Sequence, residues 1–345
     1  MNFTLEQIRQ MRTYNPPIEQ RAKFKGLRLD FNERLAPLPA QVIDAIRNFD
    51  PQRFMIYPSY GDLVKKIAKY AEVVVDNLMI TNGSDQGMEL IFRTFVSARD
   101  RVIIPSPSFA MFYQVAQVQG AEIIRPKYKA DGSFPFEEVI ELLNQKPKLV
   151  IICNPNNPTG TLLPLEKIEA ILRAAGDTLI YVDEAYFEFS GVTAIKLIEK
   201  YPNLFITRTF SKAFGLAALR IGYLMSYKTN IDEMLKVRGP YDINQIAKVA
   251  VEASLETFPE LKQYCDEVMN KAKPFTEEFF RERTINFCPS DANFIYFKEP
   301  FAGFSAKLEK NGILIRPQAD GYARVTIGTL SQMERFTEIF NQITF

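Results

Sequence analysis

The sequence predicts an α/β fold: a large domain with a mostly parallel sheet flanked by helices, and a smaller α+β domain after it. Three observations carry this prediction. Short β-branched runs recur through the middle of the 345-residue chain, helical periodicities fall between them, and after about Asp232 the pattern changes to longer helical stretches with two further strand runs. The length suits two domains at roughly 150 residues each.

In chain order, residues 1–49 hold no strand series of their own and are expected to dock on the smaller domain. Residues 50–231 are expected to form the large domain. Its strand candidates are Arg101 to Pro105 (RVIIP), Lys148 to Cys153 (KLVIIC), Leu179 to Asp183 (LIYVD), Leu204 to Arg208 (LFITR) and Ile221 to Met225 (IGYLM). Each is short and apolar, as expected of strands covered on both faces. Between strands, Met88, Ile91, Phe92 and Phe95 recur on one helical face, and Leu165, Ile168 and Leu172 on another. Residues 232–345 are expected to form the smaller domain, with strand candidates Asn293 to Phe297 (NFIYF) and Arg324 to Gly328 (RVTIG). Ser331 and Glu334 read as a capping box ahead of Met333, Phe336 and Phe340, so a closing amphipathic helix is expected.

Composition narrows the chemistry. Lys plus Arg total 42 against 41 Asp plus Glu, a net charge of +1, so the broad positive field of a nucleic-acid binder is missing. There is no histidine, which excludes Ser-His-Asp and Cys-His nucleophile systems, His-ligated zinc and imidazole proton shuttles. The three cysteines, Cys153, Cys265 and Cys288, have no C-x-x-C spacing, so no metal site is expected and a reducing cytoplasm fits. No cationic leader or run of ~18 apolar residues occurs, so neither export nor a membrane span is expected.

In an open parallel sheet a ligand binds outside the carboxyl ends of the strands, so the polar segments that follow strands are the candidates. They are TNGSDQG (Thr81 to Gly87), PSFAMFY (Pro107 to Tyr113), NPNNPTG (Asn154 to Gly160), DEAY (Asp183 to Tyr186) and TFSKAFGLAALRIGY (Thr209 to Tyr223). Singly, each has an ordinary reading: Lys212 as a solvated surface lysine, Asp183 as a helix cap, NPNNPTG as a turn, Phe109 as a core aromatic. Jointly they suit one ligand. A lysine at a buried strand end suits a Schiff-base nucleophile, which needs a carbonyl cofactor. A pyridoxal ring needs a carboxylate at its nitrogen, for which Asp183 is placed, and polar partners for its phenolate oxygen, for which Tyr186 and Asn157 are placed. The amides of Gly83, Ser84 and Asp85 open a helix whose positive end suits a phosphate, with Ser211 and Arg220 adding a hydroxyl and a fork of donors. Phe109 can stack on a planar ring.

The ordered set NGSDQG, PSFAMF, NPNNPTG, DEAY, SKAFGLAALRIG and RVTIGT, with DFNE (Asp30 to Glu33) and IYPSYG (Ile56 to Gly61), resembles the fold-type I pyridoxal-phosphate aminotransferases, and within them the histidinol-phosphate aminotransferase group. The resemblance implies pyridoxal 5'-phosphate as cofactor, with Lys212 as Schiff-base lysine and proton carrier between the substrate α-carbon and C4′. It implies Asp183 at the pyridine nitrogen, Tyr186 and Asn157 at the phenolate oxygen, and Phe109 against the ring where many relatives have Tyr. The phosphate would fall to the Ser84 and Asp85 amides, Ser211 and Arg220, with Tyr57 crossing from a second subunit of a homodimer with shared active sites. Arg324 would grip the substrate anion with help from Arg316, and Tyr14 would cover it. The activity implied is exchange of an amino group between a donor and an oxo acceptor, and within that group the pathway implied is histidine biosynthesis.

The sequence departs from the family pattern after Asn32-Glu33, where Arg34-Leu35-Ala36-Pro37 replaces the usual run to Pro and Gly. This alters the expected pocket floor and keeps aromatic amino acids as alternative substrates, since arginine accepts a carboxylate as well as a phosphate. A pyridoxal-dependent decarboxylase or lyase of a phosphorylated amino acid is a further alternative. A ligand-sensing regulator on the same fold is the non-enzymatic rival, and the roughly 30 residues before the first motif offer no DNA-binding domain for it.

Overall fold

The structure is a computed structural model that describes residues 3–13 and 16–344. Strand β1 (Leu27–Leu29) belongs to a four-stranded sheet completed late in the chain. Strands β2 (Leu78–Thr81), β3 (Arg101–Ile103), β4 (Glu122–Ile124), β5 (Leu149–Cys153), β6 (Leu179–Asp183), β7 (Leu204–Thr209) and β8 (Gly222–Ser226) form a seven-stranded sheet in the order β2-β8-β7-β6-β5-β3-β4. Neighbours from β7 to β4 are parallel, whereas β8 runs antiparallel to both β7 and β2.

Helices cover both faces, which is why β5 and β7 are buried at every residue. Alternation along the strands divides the interior in two. Leu149, Ile151, Tyr181, Phe205 and Leu224 pack with Met88, Ile91 and Phe92 of the helix Gly83–Phe95. Val150, Ile152, Ile180, Val182 and Ile206 face the opposite side, with Ile168 and Leu172 of the helix Leu165–Ala174.

The smaller sheet adds β9 (Phe294–Lys298), β10 (Ile313–Pro317) and β11 (Tyr322–Thr326) in the order β1-β10-β11-β9. β1 runs parallel to β10, so the amino-terminal segment supplies an edge strand there. Met333, Phe336 and Phe340 of the closing helix Leu330–Thr344 are buried in the same core.

Several expectations need correction. The capping box is not Ser331 with Glu334: the helix starts two residues earlier, and the Thr329 N–H donates to Gln332 Oε1 at 2.9 Å. Strand RVTIG is Tyr322–Thr326, and IGYLM is an antiparallel member of the sheet. Strands β1, β2, β4 and β10 had no separate sequence signal, being three to five residues long and defined by cross-strand pairing more than by periodicity. The division read at 231/232 falls inside the helix Lys228–Leu235, whose Ile231 and Met234 are buried on the large sheet.

Candidate active site

The carboxyl ends of β5, β6 and β7, the start of the helix Gly83–Phe95, and residues 31–33 with β10 and β11 enclose a cavity of about 680 Å³. Of the residues singled out from sequence, Ser84, Asp85, Phe109, Asn157, Asp183, Tyr186, Ser211, Lys212, Arg220, Arg316 and Arg324 all line it. Gly83 stands just behind, with φ +69, and a Cβ there would fall 2.6 Å from Arg220 Nη2. Tyr57 does not line the cavity of its own chain; it is exposed and stacks on Tyr241 with ring centroids 4.1 Å apart. Tyr14 lies outside the described residues.

Lys212 follows β7, and its amine donates to the carbonyl oxygen of Phe31 at 2.9 Å. Burial and the nearby Arg324 guanidinium bring the amine down to about 8, where a useful fraction is a neutral nucleophile. Asp183 ends β6 and is buried. It caps no helix: Oδ1 accepts from Thr207 Oγ1 at 3.0 Å. Burial pushes its carboxyl up to about 7, against the Thr207 hydrogen bond.

Tyr186 is buried, and its hydroxyl accepts from Asn32 Nδ2 at 3.0 Å. Asn32 is pinned in turn. Its N–H donates to Thr326 Oγ1, its Oδ1 accepts from the same hydroxyl, and its carbonyl accepts from Asn293 Nδ2. Its φ of +55 lies in the left-handed region, which Asn tolerates better than most residues.

At one end of the cavity, the first turn of the helix Gly83–Phe95 presents Ser84 and Asp85, while the Asn82 side chain turns away to donate to the Asp242 carbonyl. Arg220 donates from Nη2 to Asp85 Oδ2 at 2.9 Å and from Nη1 to Ser211 Oγ at 3.4 Å. Gly222 allows this closeness, since a Cβ there would lie 2.8 Å from the Ser84 nitrogen. Phe109 forms a wall, held edge-on by Phe112 at 5.5 Å.

On the opposite wall Arg324 is buried, with Nη1 donating to Asn157 Oδ1 at 2.5 Å and Nη2 to the Asp30 carbonyl at 2.6 Å. Arg316 is its cross-strand partner on β10 and lies over the Phe31 ring at 5.7 Å. Arg21 pairs with Asp30 behind this wall and with Glu33, which itself lines the cavity. Sequence reading assigned no role to Phe31, Asn32, Thr207 or Arg21. Phe31 and Asn32 entered only within the DFNE motif, while Thr207 and Arg21 carried no signal of their own; their places are set by the contacts with Lys212, Tyr186, Asp183 and Asp30.

The donor set fits pyridoxal phosphate: one amine brought down to about 8, a buried carboxyl, an aromatic wall, and a cradle backed by Gly83 and Gly222 with a hydroxyl, a guanidinium and a helix start. Fold and cavity thus define an enzyme of amine and carbonyl chemistry. Residues 25–340 match the profile of the family "Aminotransferase class I and II". A histidinol-phosphate aminotransferase of Caldanaerobacter subterraneus is 34% identical over 342 residues, covering 95% of each chain. A dihydroxyacetone phosphate transaminase of Campylobacter jejuni is 34% identical over 325 residues, 90% of this chain and 88% of the relative. The solved histidinol-phosphate aminotransferase of Sinorhizobium meliloti, in complex with pyridoxal-5'-phosphate, superposes with a TM-score of 0.88 at 23% identity, covering 100% and 99% of the two chains. The chain belongs to the class I and II aminotransferases, and it is a pyridoxal-phosphate-dependent enzyme.

Proposed function

We propose that the enzyme exchanges an amino group between a donor and an oxo acceptor in which one substrate carries a phosphate close to the reacting carbon, with histidinol phosphate as the first candidate. The observation that carries this reading is the pairing of Arg316 with Arg324 across from Lys212. Arg324 donates to Asn157 Oδ1 and to the Asp30 carbonyl, and Arg316 stands beside it on β10, so two guanidinium groups line the same part of the cavity. A phosphate offers three oxygens to two such donor forks, whereas a carboxylate offers two oxygens that a single fork already fills.

When bound, pyridoxal phosphate supplies the carbonyl that takes up the amine and a ring that delocalises the electron pair left on the substrate carbon. In this reading Lys212 removes the proton from that carbon and returns it at the neighbouring position, for which an amine near pH 8 suits both directions. Asp183 holds the ring nitrogen, Tyr186 and Asn157 the phenolate oxygen, and Phe109 the ring face. Ser211, Arg220 and the Gly83, Ser84 and Asp85 amides hold the cofactor phosphate, leaving Arg324 and Arg316 for substrate.

We also infer a homodimer in which Tyr57 completes the partner's site. Its exposure supports this, with Phe54, Met55, Ile56 and Tyr241 forming an exposed apolar surface around it. No helix among the described residues is long and apolar enough to cross a membrane. The three cysteines are buried and free, consistent with a cytoplasmic biosynthetic enzyme.

The dihydroxyacetone phosphate transaminase favours a second reading, in which the oxo substrate is a small keto phosphate. Both readings are tested by amino exchange in purified enzyme: histidinol phosphate with 2-oxoglutarate, glutamate with dihydroxyacetone phosphate, and phenylalanine with 2-oxoglutarate. Exchange with either phosphate substrate at kcat/KM at least tenfold above phenylalanine is expected. A preference for phenylalanine overturns the phosphate reading.

A further inference from the structure

Asp183 sits in an unusual setting for a group that must be negative to work. It is buried, and the neighbouring charges with the largest influence on it, Asp85 from the helix Gly83–Phe95 and Glu184 next in the chain, are both of like sign. Cys153 of β5 is its cross-strand neighbour on one side, and its buried thiol is held protonated. Tyr186 is likewise held as a neutral phenol. On the other side, β7 places Thr207 directly opposite Asp183. Tyr181 lies two residues before Asp183 and so projects from the same face of β6.

These three side chains are joined. Thr207 Oγ1 donates to Asp183 Oδ1 at 3.0 Å, and the Tyr181 hydroxyl lies 2.8 Å from Thr207 Oγ1. The direction of the chain is fixed by proton count. An ionised carboxylate only accepts, so the single Thr207 proton goes to Asp183, and Tyr181 must donate to Thr207. Tyr181 and Thr207 are about 1% and 0% exposed, and Phe112 closes over Tyr181 edge-on at 6.0 Å, so water does not compete. Successive hydrogen bonds of one sense polarise one another in a low-dielectric interior.

We propose that Tyr181 and Thr207 are positioning residues: a two-hydroxyl relay that keeps the buried Asp183 ionised and aimed into the cavity for a protonated ring nitrogen. The proposal rests on the reading of Asp183 as the partner of that nitrogen. Neither hydroxyl touches the cavity, so their effect passes through Asp183.

The test uses Thr207→Val, Thr207→Ser and Tyr181→Phe, all near in shape to the originals, with Asp183→Asn as reference. In the apoprotein, the protonated Asp183 carboxyl is followed by its infrared C=O band against pH, identified by its loss in Asp183→Asn. The dissociation constant of pyridoxal phosphate is then measured at pH 7. Thr207→Val is expected to raise the Asp183 midpoint by at least one pH unit and weaken cofactor binding about tenfold. Tyr181→Phe should give a smaller shift in the same direction that vanishes in the Thr207→Val background, and Thr207→Ser should restore both readouts. Unchanged midpoint and affinity within twofold in Thr207→Val, with only a lower melting temperature, would overturn the relay. Unchanged cofactor affinity in Asp183→Asn would instead remove the reading on which the relay rests.

Discussion

The amine of Lys212 and the carbonyl of Phe31, 181 residues apart in sequence, meet at 2.9 Å. Lys212 thus leaves the large sheet and finds its partner on the segment that also carries β1 of the smaller sheet. The next residue, Asn32, donates to Tyr186 from the same segment, so the amino-terminal stretch is part of the site and more than a covering. In the proposed reaction, replacing Lys212 by Ala is expected to lower amino exchange by at least about 10³-fold, since no other lysine among the described residues lines the cavity. Near-ultraviolet circular dichroism should be unchanged, which separates lost chemistry from lost fold.

Asn32 combines two demands. Asn32→Ala loses the donor to buried Tyr186 and places a Cβ residue with no polar side chain at φ +55. A loss of about 2–4 kcal/mol is expected in denaturant unfolding, from an unpaired buried hydroxyl and left-handed backbone together. Asn32→Gly relieves the backbone but not the hydrogen bond, so it should fall between Ala and the parent.

Asp183 contributes a pH dependence of known sign. Its folded carboxyl is raised from 3.8 to about 7, so the folded state binds more protons between these values. Its contribution to stability is full below pH 4 and is lost as pH rises through 7. In the apoprotein, Asp183→Asn is expected to remove up to about 4 kcal/mol of that decline, measured as the difference between variant and parent unfolding curves from pH 4 to 7.5. Glu188, also raised to about 7, leaves a similar decline in both proteins, so only the difference reports Asp183.

Arg34 holds the turn that carries Lys212. Its Nη1 donates to the Ala213 carbonyl at 2.9 Å, and its guanidinium lies over the Tyr264 ring at 4.2 Å. Arg34→Met is expected to cost about 1–3 kcal/mol of stability by leaving that carbonyl without its charged donor, and Arg34→Lys to recover part of it. Thermal unfolding of both variants checks this.

Behind the sheet, Arg208 and Glu184 form a fully buried pair, 2.9 Å apart, with Thr193 and the Ala194 N–H completing it. Glu184→Gln removes the carboxylate hydrogen-bonded to the guanidinium and leaves Glu188 as the remaining nearby carboxyl. A loss of about 3–5 kcal/mol is expected in urea unfolding, more than any of the exposed ion pairs would give.

Local chemistry was legible in the sequence wherever a residue's role depends on its neighbours in the chain. The runs LVIIC, LIYVD and LFITRT read as strands because short, mostly apolar runs with β-branched residues suit a sheet covered twice, and the polar residues that follow them line the cavity because parallel strands end together. The absence of histidine excluded whole classes of chemistry without any structure. Tertiary structure alone decided the rest. That Phe31 receives the Lys212 amine, that Asn32 serves Tyr186, and that Thr207 stands opposite Asp183 all follow from packing between segments distant in the chain. Strand register and the docking of β1 on β10 are set by burial and pairing across the whole molecule, and a linear pattern of side chains carries no measure of those distances.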